Sequence, residues 1–201
     1  WGKKIKKKEK NNDFVVMHAS TFKNRHTRFH IYETSDEYLK SVKQLCDVIS
    51  VHKNIKLIIK IRSDYFEMTK ETLISLLSPI PENISIESEK NFLEVLEKTN
   101  LVVSFSSTTI EEALVNNVPV LLYGGNNRYC HIPLKSFEQE AEIIKPINFV
   151  DNNEKLVEYF KILSSKINNF SIDDKEFNKY KFSTDFELND INDWVAKRFI
   201  K

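Results

Sequence analysis

The chain has 201 residues, 41% of them hydrophobic, which is enough for one well-buried core and sets one main domain as the expectation. Thirty basic side chains nearly balance 29 acidic ones, for a net charge of +1, so no global field points to nucleic acid or to an anionic membrane. No apolar run approaches the ~20 residues of a membrane span, and the two cysteines, Cys46 and Cys130, form neither a disulfide framework nor a zinc-ligand spacing. A reducing compartment is the simpler reading of such sparse cysteine. The chain opens on Trp1-Gly2 and a lysine run with no apolar stretch behind it, so no signal peptide is expected, and the missing Met reads as an excised segment or a processed product. Three glycines in the whole chain leave no GxGxxG and no GxxxxGK[ST] phosphate loop.

Residues 1–12 are a basic, low-complexity lead-in and read as a linker or tail. Residues 14–19 form a short apolar run, expected to be a buried strand. Thr34-x-x-Glu37 is a capping box, and Tyr38, Val42, Leu45 and Ile49 follow at the spacing of one helix face. A second strand is expected over 55–61, a weak helix over 67–77 ending before Pro79 and Pro81, a short strand over 84–86 and a short helix over 92–97. Then come a strand over 101–105, a helix over 108–116 and a strand over 118–123, with Pro119 near its start, where a ladder N–H is least missed. Past Gly124 the pattern loosens into a strand at 147–150, a helix over 153–167 with Leu156, Phe160 and Leu163 on one face, and a last helix over 189–199 carrying Trp194. Strands that are continuous apolar runs, alternating with helices, predict an α/β domain built on a doubly wound parallel sheet. Its ligand is expected at the carboxyl ends of the strands, near the switch point.

The stretch 101–123, LVVSFSSTTIEEALVNNVPVLLY, carries the most chemistry. A buried strand leads through Ser106, Ser107, Thr108 and Thr109 into a helix that begins with Glu111 and Glu112. Backbone N–H groups and short hydroxyls at such an entry suit phosphate oxygens, and a carboxylate one turn in can accept from both hydroxyls of a ribose. The plainer alternative is helix capping, with Thr108-x-x-Glu111 as a capping box.

Ser106, Ser107, Thr108, Glu111, Glu112, Ala113 and Pro119-Val120-Leu121 fall in the order of the nucleotide-binding signature of the GT-B superfamily. That superfamily comprises the GT-B glycosyltransferases and the related UDP-N-acetylglucosamine 2-epimerases. The resemblance spans roughly residues 13–165, and Ser107 and Thr108 stand where glycines usually follow the serine. It implies that the chain is the Rossmann-like, nucleotide-sugar-binding half of a GT-B fold. The turn at Ser106–Thr109 would then bind the donor phosphates and Glu112, with Glu111 beside it, the ribose. Lys60 and Arg62, at the carboxyl end of the second strand, would add phosphate contacts, or else be ordinary strand-end charges. Lys23 and Arg25 lie in the polar loop after the first strand, which faces the inter-domain cleft in the resembled proteins. His18, Gly124, Gly125 and Arg128 are further candidates for sugar or cleft contacts. No catalytic residue is assigned, because the base in many such enzymes comes from the acceptor-side domain.

The resemblance also sets the wider expectations. The substrate would be a nucleotide sugar bound without a metal or other cofactor, in keeping with the absence of a DxD motif. The acceptor would be a glycan or lipid-linked glycan in cell-surface polysaccharide or capsule synthesis. The location would be cytoplasmic or peripheral at the inner membrane face. A missing N-terminal acceptor-side domain is implied, onto which residues 189–201 would cross, leaving 13–188 as the binding domain. A nucleotide-sugar epimerase, a CDP-polyol phosphotransferase and a non-catalytic binding module on the same fold stay open as alternatives.

Overall fold

A computed structural model describes residues 5, 13–19, 33–62, 69–124 and 132–180. Six strands run parallel in the order β3-β2-β1-β4-β5-β6: Phe14–His18 (β1), Ile55–Lys60 (β2), Ile84–Glu87 (β3), Leu101–Ser104 (β4), Val120–Leu122 (β5) and Ile147–Phe149 (β6). The strand order reverses between β1 and β4, which is where a doubly wound sheet opens its ligand crevice.

Both faces of the sheet are covered, which is why β1, β4 and β5 are buried along their whole length. One face packs the helices Ser35–Ser50 (α1), Lys70–Leu77 (α2) and Asn153–Lys166 (α5) against Val16, Leu57, Ile59, Val103 and Leu121. The other packs Phe92–Leu96 (α3), Thr109–Val115 (α4) and Asp174–Phe177 (α6) against Val15, Met17, Val102, Val120 and Leu122. The predicted capping box forms at α1, where Thr34 Oγ1 accepts from the Glu37 amide and Glu37 Oε2 accepts from the Thr34 amide. Tyr38, Val42, Leu45 and Ile49 are all buried on the core side of that helix.

Polar side chains fix the register where side-chain packing alone would let strands slide. Asn100 Oδ1 accepts from the Val15 amide at 2.8 Å, pinning the start of β4 to β1. The Asn83 amide group donates to the carbonyls of Ile49, His52 and Ile55, tying the entry to β3 to the α1–β2 connection. Ile5, the one described residue of the basic lead-in, packs on the α4 face and donates its amide to Asn116 Oδ1 at 2.8 Å. The predicted helix over 189–199 and Cys130 lie outside the described residues. Among the described residues no helix is long and apolar enough to cross a membrane.

Candidate functional site

The carboxyl ends of β1 and β4 meet at the switch point, beside β5, and the turn Ser106–Thr109 follows β4 there. β4 ends at Ser104, whose hydroxyl donates to the Ala19 carbonyl at 3.0 Å. Thr109 Oγ1 donates to the same carbonyl at 3.1 Å, and the Ala19 amide donates to the Val103 carbonyl at 2.9 Å. Three bonds therefore clamp the exit of β1 to β4 and to the first residue of α4. They also commit the Thr109 proton, leaving that hydroxyl to accept rather than donate.

The turn between them behaves differently from a capped helix start. Thr108, in the N-cap position, has helical dihedrals and makes no side-chain cap bond, so the Thr108-x-x-Glu111 capping box does not form. Instead Ser107 Oγ accepts from the Thr109 amide at 3.3 Å. No hydrogen bond among the described residues uses the amides of Ser106, Ser107 or Thr108. Three successive donors are thus left at the mouth of the sheet, a common arrangement for holding an anion. α4 has only seven residues, so these local amides, more than a long macrodipole, supply the positive potential. Ser106 is buried, Ser107 half-buried and Thr108 exposed, which grades the turn from core to solvent.

Glu112 is half-buried on α4, and no hydrogen bond or ion pair among the described residues takes up its carboxylate. Glu111 is engaged within the protein, which makes Glu112 the more available of the two acids.

His18 ends β1 on the α1 face, buried, with its ring 5.9 Å from that of Tyr38. Burial lowers its pKa to about 4, so at neutral pH it stands at the switch point as an uncharged imidazole and not as a phosphate-binding cation. Gly124, just past β5, has φ +123°, and a Cβ there would lie 3.1 Å from Phe105 Cβ and 3.5 Å from Glu33 Oε2. Glu33 itself is buried, and its charge, after burial, is the largest influence raising the Tyr38 hydroxyl above its ordinary pKa. Nothing local in the sequence marks Glu33, a carboxylate that folding brings beside a glycine far along the chain.

Lys60 and Arg62 are not gathered with these groups. Lys60 ends β2 and Arg62 lies just beyond it, two strands from β4, or roughly 10 Å across the sheet at ~4.8 Å per strand. The Lys60 ammonium donates to the Ile61 carbonyl, and its strand partner in β3 is Glu87. Lys23, Arg25, Gly125 and Arg128 lie outside the described residues. Among the described residues there is no group of three or more His, Cys, Asp or Glu side chains arranged to hold a metal ion.

A family model described as LIC12162 family transferase matches residues 2–135. The chain belongs to the LIC12162 family of transferases. No curated protein sequence matches it. Among solved structures, this LIC12162 family chain is similar to MnaA of S. aureus in complex with UDP, at 12% identity and a TM-score of 0.55, over 92% of this chain and 46% of that one. It is similar to UDP-GlcNAc 2-epimerase from Neisseria meningitidis bound to UDP-GlcNAc, at 16% identity and a TM-score of 0.51, over 84% of this chain and 40% of that one. It is also similar to the spinosyn rhamnosyltransferase SpnG, at 12% identity and a TM-score of 0.51, over 80% of this chain and 37% of that one. At these identities the likeness is one of fold: the LIC12162 chain has the Rossmann-like architecture of a GT-B half. It spans less than half the length of each of those three proteins.

Proposed function

We propose that the chain is the donor-binding half of a nucleotide-sugar-dependent glycosyltransferase. The observation that carries this reading is the pairing of three unused amides at Ser106–Thr108 with the uncommitted carboxylate of Glu112, both at the switch point of the sheet. In this reading the amides and the Ser106 and Thr108 hydroxyls hold the donor's phosphates without a metal, and they stabilise the charge that builds on the departing nucleotide. Glu112 accepts from the ribose hydroxyls. Lys23 and Arg25, which follow β1 in the sequence, and Gly125 and Arg128, which follow β5, are assigned to the phosphate and sugar ends of the donor. The acceptor, and the base that activates it, belong to a second domain, and the family's transferase chemistry fits that division. A glycan acceptor in cell-surface polysaccharide synthesis, at the cytoplasmic side of the membrane, completes the proposal.

Calorimetric titration with UDP, CDP, GDP and CMP tests it. One nucleotide binds the wild type, and Glu112→Ala weakens that nucleotide about tenfold or more, the expected loss of a charge-assisted hydrogen-bond pair. Equal affinities in the two proteins would remove Glu112 from the site.

A further inference from the structure

The near-zero net charge conceals a split along the chain. Six of the 30 basic side chains and one of the 29 acidic ones fall in residues 1–12, so that segment carries +5 and the rest of the chain −4. A charge run of this kind is ordinarily a solvated tail. Here it is fastened to the folded body near its middle.

Ile5 is the fastening. Its side chain packs on the core cluster that contains Ile110, Ala113 and Leu114 of α4, and its amide donates to Asn116 Oδ1 at 2.8 Å. Asn116 Nδ2 in turn donates to the Glu112 carbonyl at 2.9 Å, which fixes the carboxamide with Oδ1 presented to Ile5. Lys3, Lys4, Lys6, Lys7, Lys8 and Lys10 all stand within five residues of this seat in the sequence. Backbone reach therefore confines them to within about 18 Å of it.

The seat also sets which edge of the sheet receives the charge. α4 starts at the carboxyl edge, behind β4, and Asn116 caps its far end at the amino edge, ahead of β5. The basic run is thus held at the edge opposite the turn at Ser106–Thr108. Other charges at that edge largely cancel. Lys56 pairs with Asp13 and Lys145 with Glu142, and Lys53 and Lys98 are matched in number by Glu82 and Glu97. The lead-in supplies the excess.

Its composition says what kind of partner it fits. There is no Arg in residues 1–12 to make bidentate bonds to a base or a phosphate, and Trp1 is the one aromatic, so neither base readout nor stacking along a nucleic acid is provided for. Six lysine point charges gathered at one edge suit a broad surface of uniform negative charge, and an indole suits the headgroup region of a bilayer. We propose that the lead-in, seated through Ile5, docks the amino edge of the sheet on a bilayer that carries anionic lipid. The docking is independent of the donor site, which opens on the other edge.

Co-sedimentation of the chain with vesicles of phosphatidylcholine alone, and of equimolar phosphatidylcholine and phosphatidylserine, tests it. The wild type is expected to bind the second and not the first, and to be released as salt rises to about 0.5 M. Lys6→Gln/Lys7→Gln/Lys8→Gln, checked for an unchanged melting transition, is expected to weaken partitioning about a hundredfold. Ile5→Ser keeps every charge and is expected to bind within a few-fold of the wild type. Hydrogen exchange on the vesicle-bound wild type slows at Lys98–Asn100 and Asn116–Val118 but not at Ser106–Thr108, and Ile5→Ser loses that protection. Vesicles leave nucleotide affinity unchanged, and vesicle binding persists even if no nucleotide binds, so this proposal and the donor reading fail separately. The proposal is overturned if the wild type binds neither vesicle or both equally, or if the triple variant binds as the wild type does. It is equally overturned if the amino edge gains no protection, if Ile5→Ser keeps it, or if single-stranded RNA is bound where anionic vesicles are not.

Discussion

Between pH 6.5 and about 4, His18 alone is expected to remove on the order of 3 kcal/mol of folding stability. The imidazole is buried at the end of β1, and its Nδ1 has no hydrogen-bond partner among the described residues. Charging it there means placing a cation in an apolar setting with nothing to receive it, so burial holds its folded pKa well below the unfolded value. In that window the unfolded chain holds the proton and the folded chain does not. Stability from this group is complete above pH 6.5 and is lost as the pH falls toward 4, with no further loss below. Urea midpoints at pH 7 and pH 4.5 measure it. His18→Gln, which carries no titrating group, is expected to lose clearly less stability than the wild type over the same interval. Superimposable pH profiles would show that His18 is not buried in the neutral form.

The second large effect is at Gly124. A φ of +123° is a region that side chains with a Cβ rarely enter, and it costs of order 1–3 kcal/mol when forced. The added methyl also meets Phe105 Cβ at 3.1 Å, a backbone-anchored atom that moves only if the turn after β4 moves with it. Overpacking of this kind adds about 1–3 kcal/mol. Gly124→Ala is therefore expected to destabilise the chain by roughly 2–4 kcal/mol. Because Phe105 precedes Ser106, nucleotide binding should weaken in the molecules that remain folded. Thermal melts and a nucleotide titration on the same sample separate the two losses. A variant as stable as the wild type would mean that the backbone at Gly124 relaxes to negative φ at little cost.

Both effects arise from contacts between residues far apart in sequence, and that explains what sequence reading supplies here. The elements with local causes are legible. Thr34 and Glu37 close a capping box within one turn, four apolar residues at helical spacing orient α1, and apolar runs mark β1, β4 and β5. The placement of the serine-rich turn at the mouth of a doubly wound sheet is legible for the same reason, since strand–turn–helix order fixes it. Boundaries are less so. The run over 118–123 contracts to Val120–Leu122, because Pro119 has no N–H for the ladder and serves only through its carbonyl, which accepts from Val102.

The details that shape the site are not written locally. Ala19 offers its carbonyl to both Ser104 and Thr109, residues more than 80 positions away, and no spacing rule anticipates this. Gln44 meets Tyr123 across 79 positions, tying α1 to the end of β5. Thr108 and Glu111 have the spelling of a capping box, yet Thr108 adopts helical dihedrals and Ser107 takes the Thr109 amide instead. In that case tertiary context overrides a local signature, and the effect is to leave the turn's donors unspent.

Those donors carry the proposed function most directly. A 15N–1H correlation spectrum of the chain, titrated with the nucleotide that calorimetry selects, observes them one by one. The amides of Ser106, Ser107 and Thr108 are expected to move first and furthest, saturating together with Glu112. Binding that leaves these three resonances in place, or no binding by any nucleotide, would contradict it.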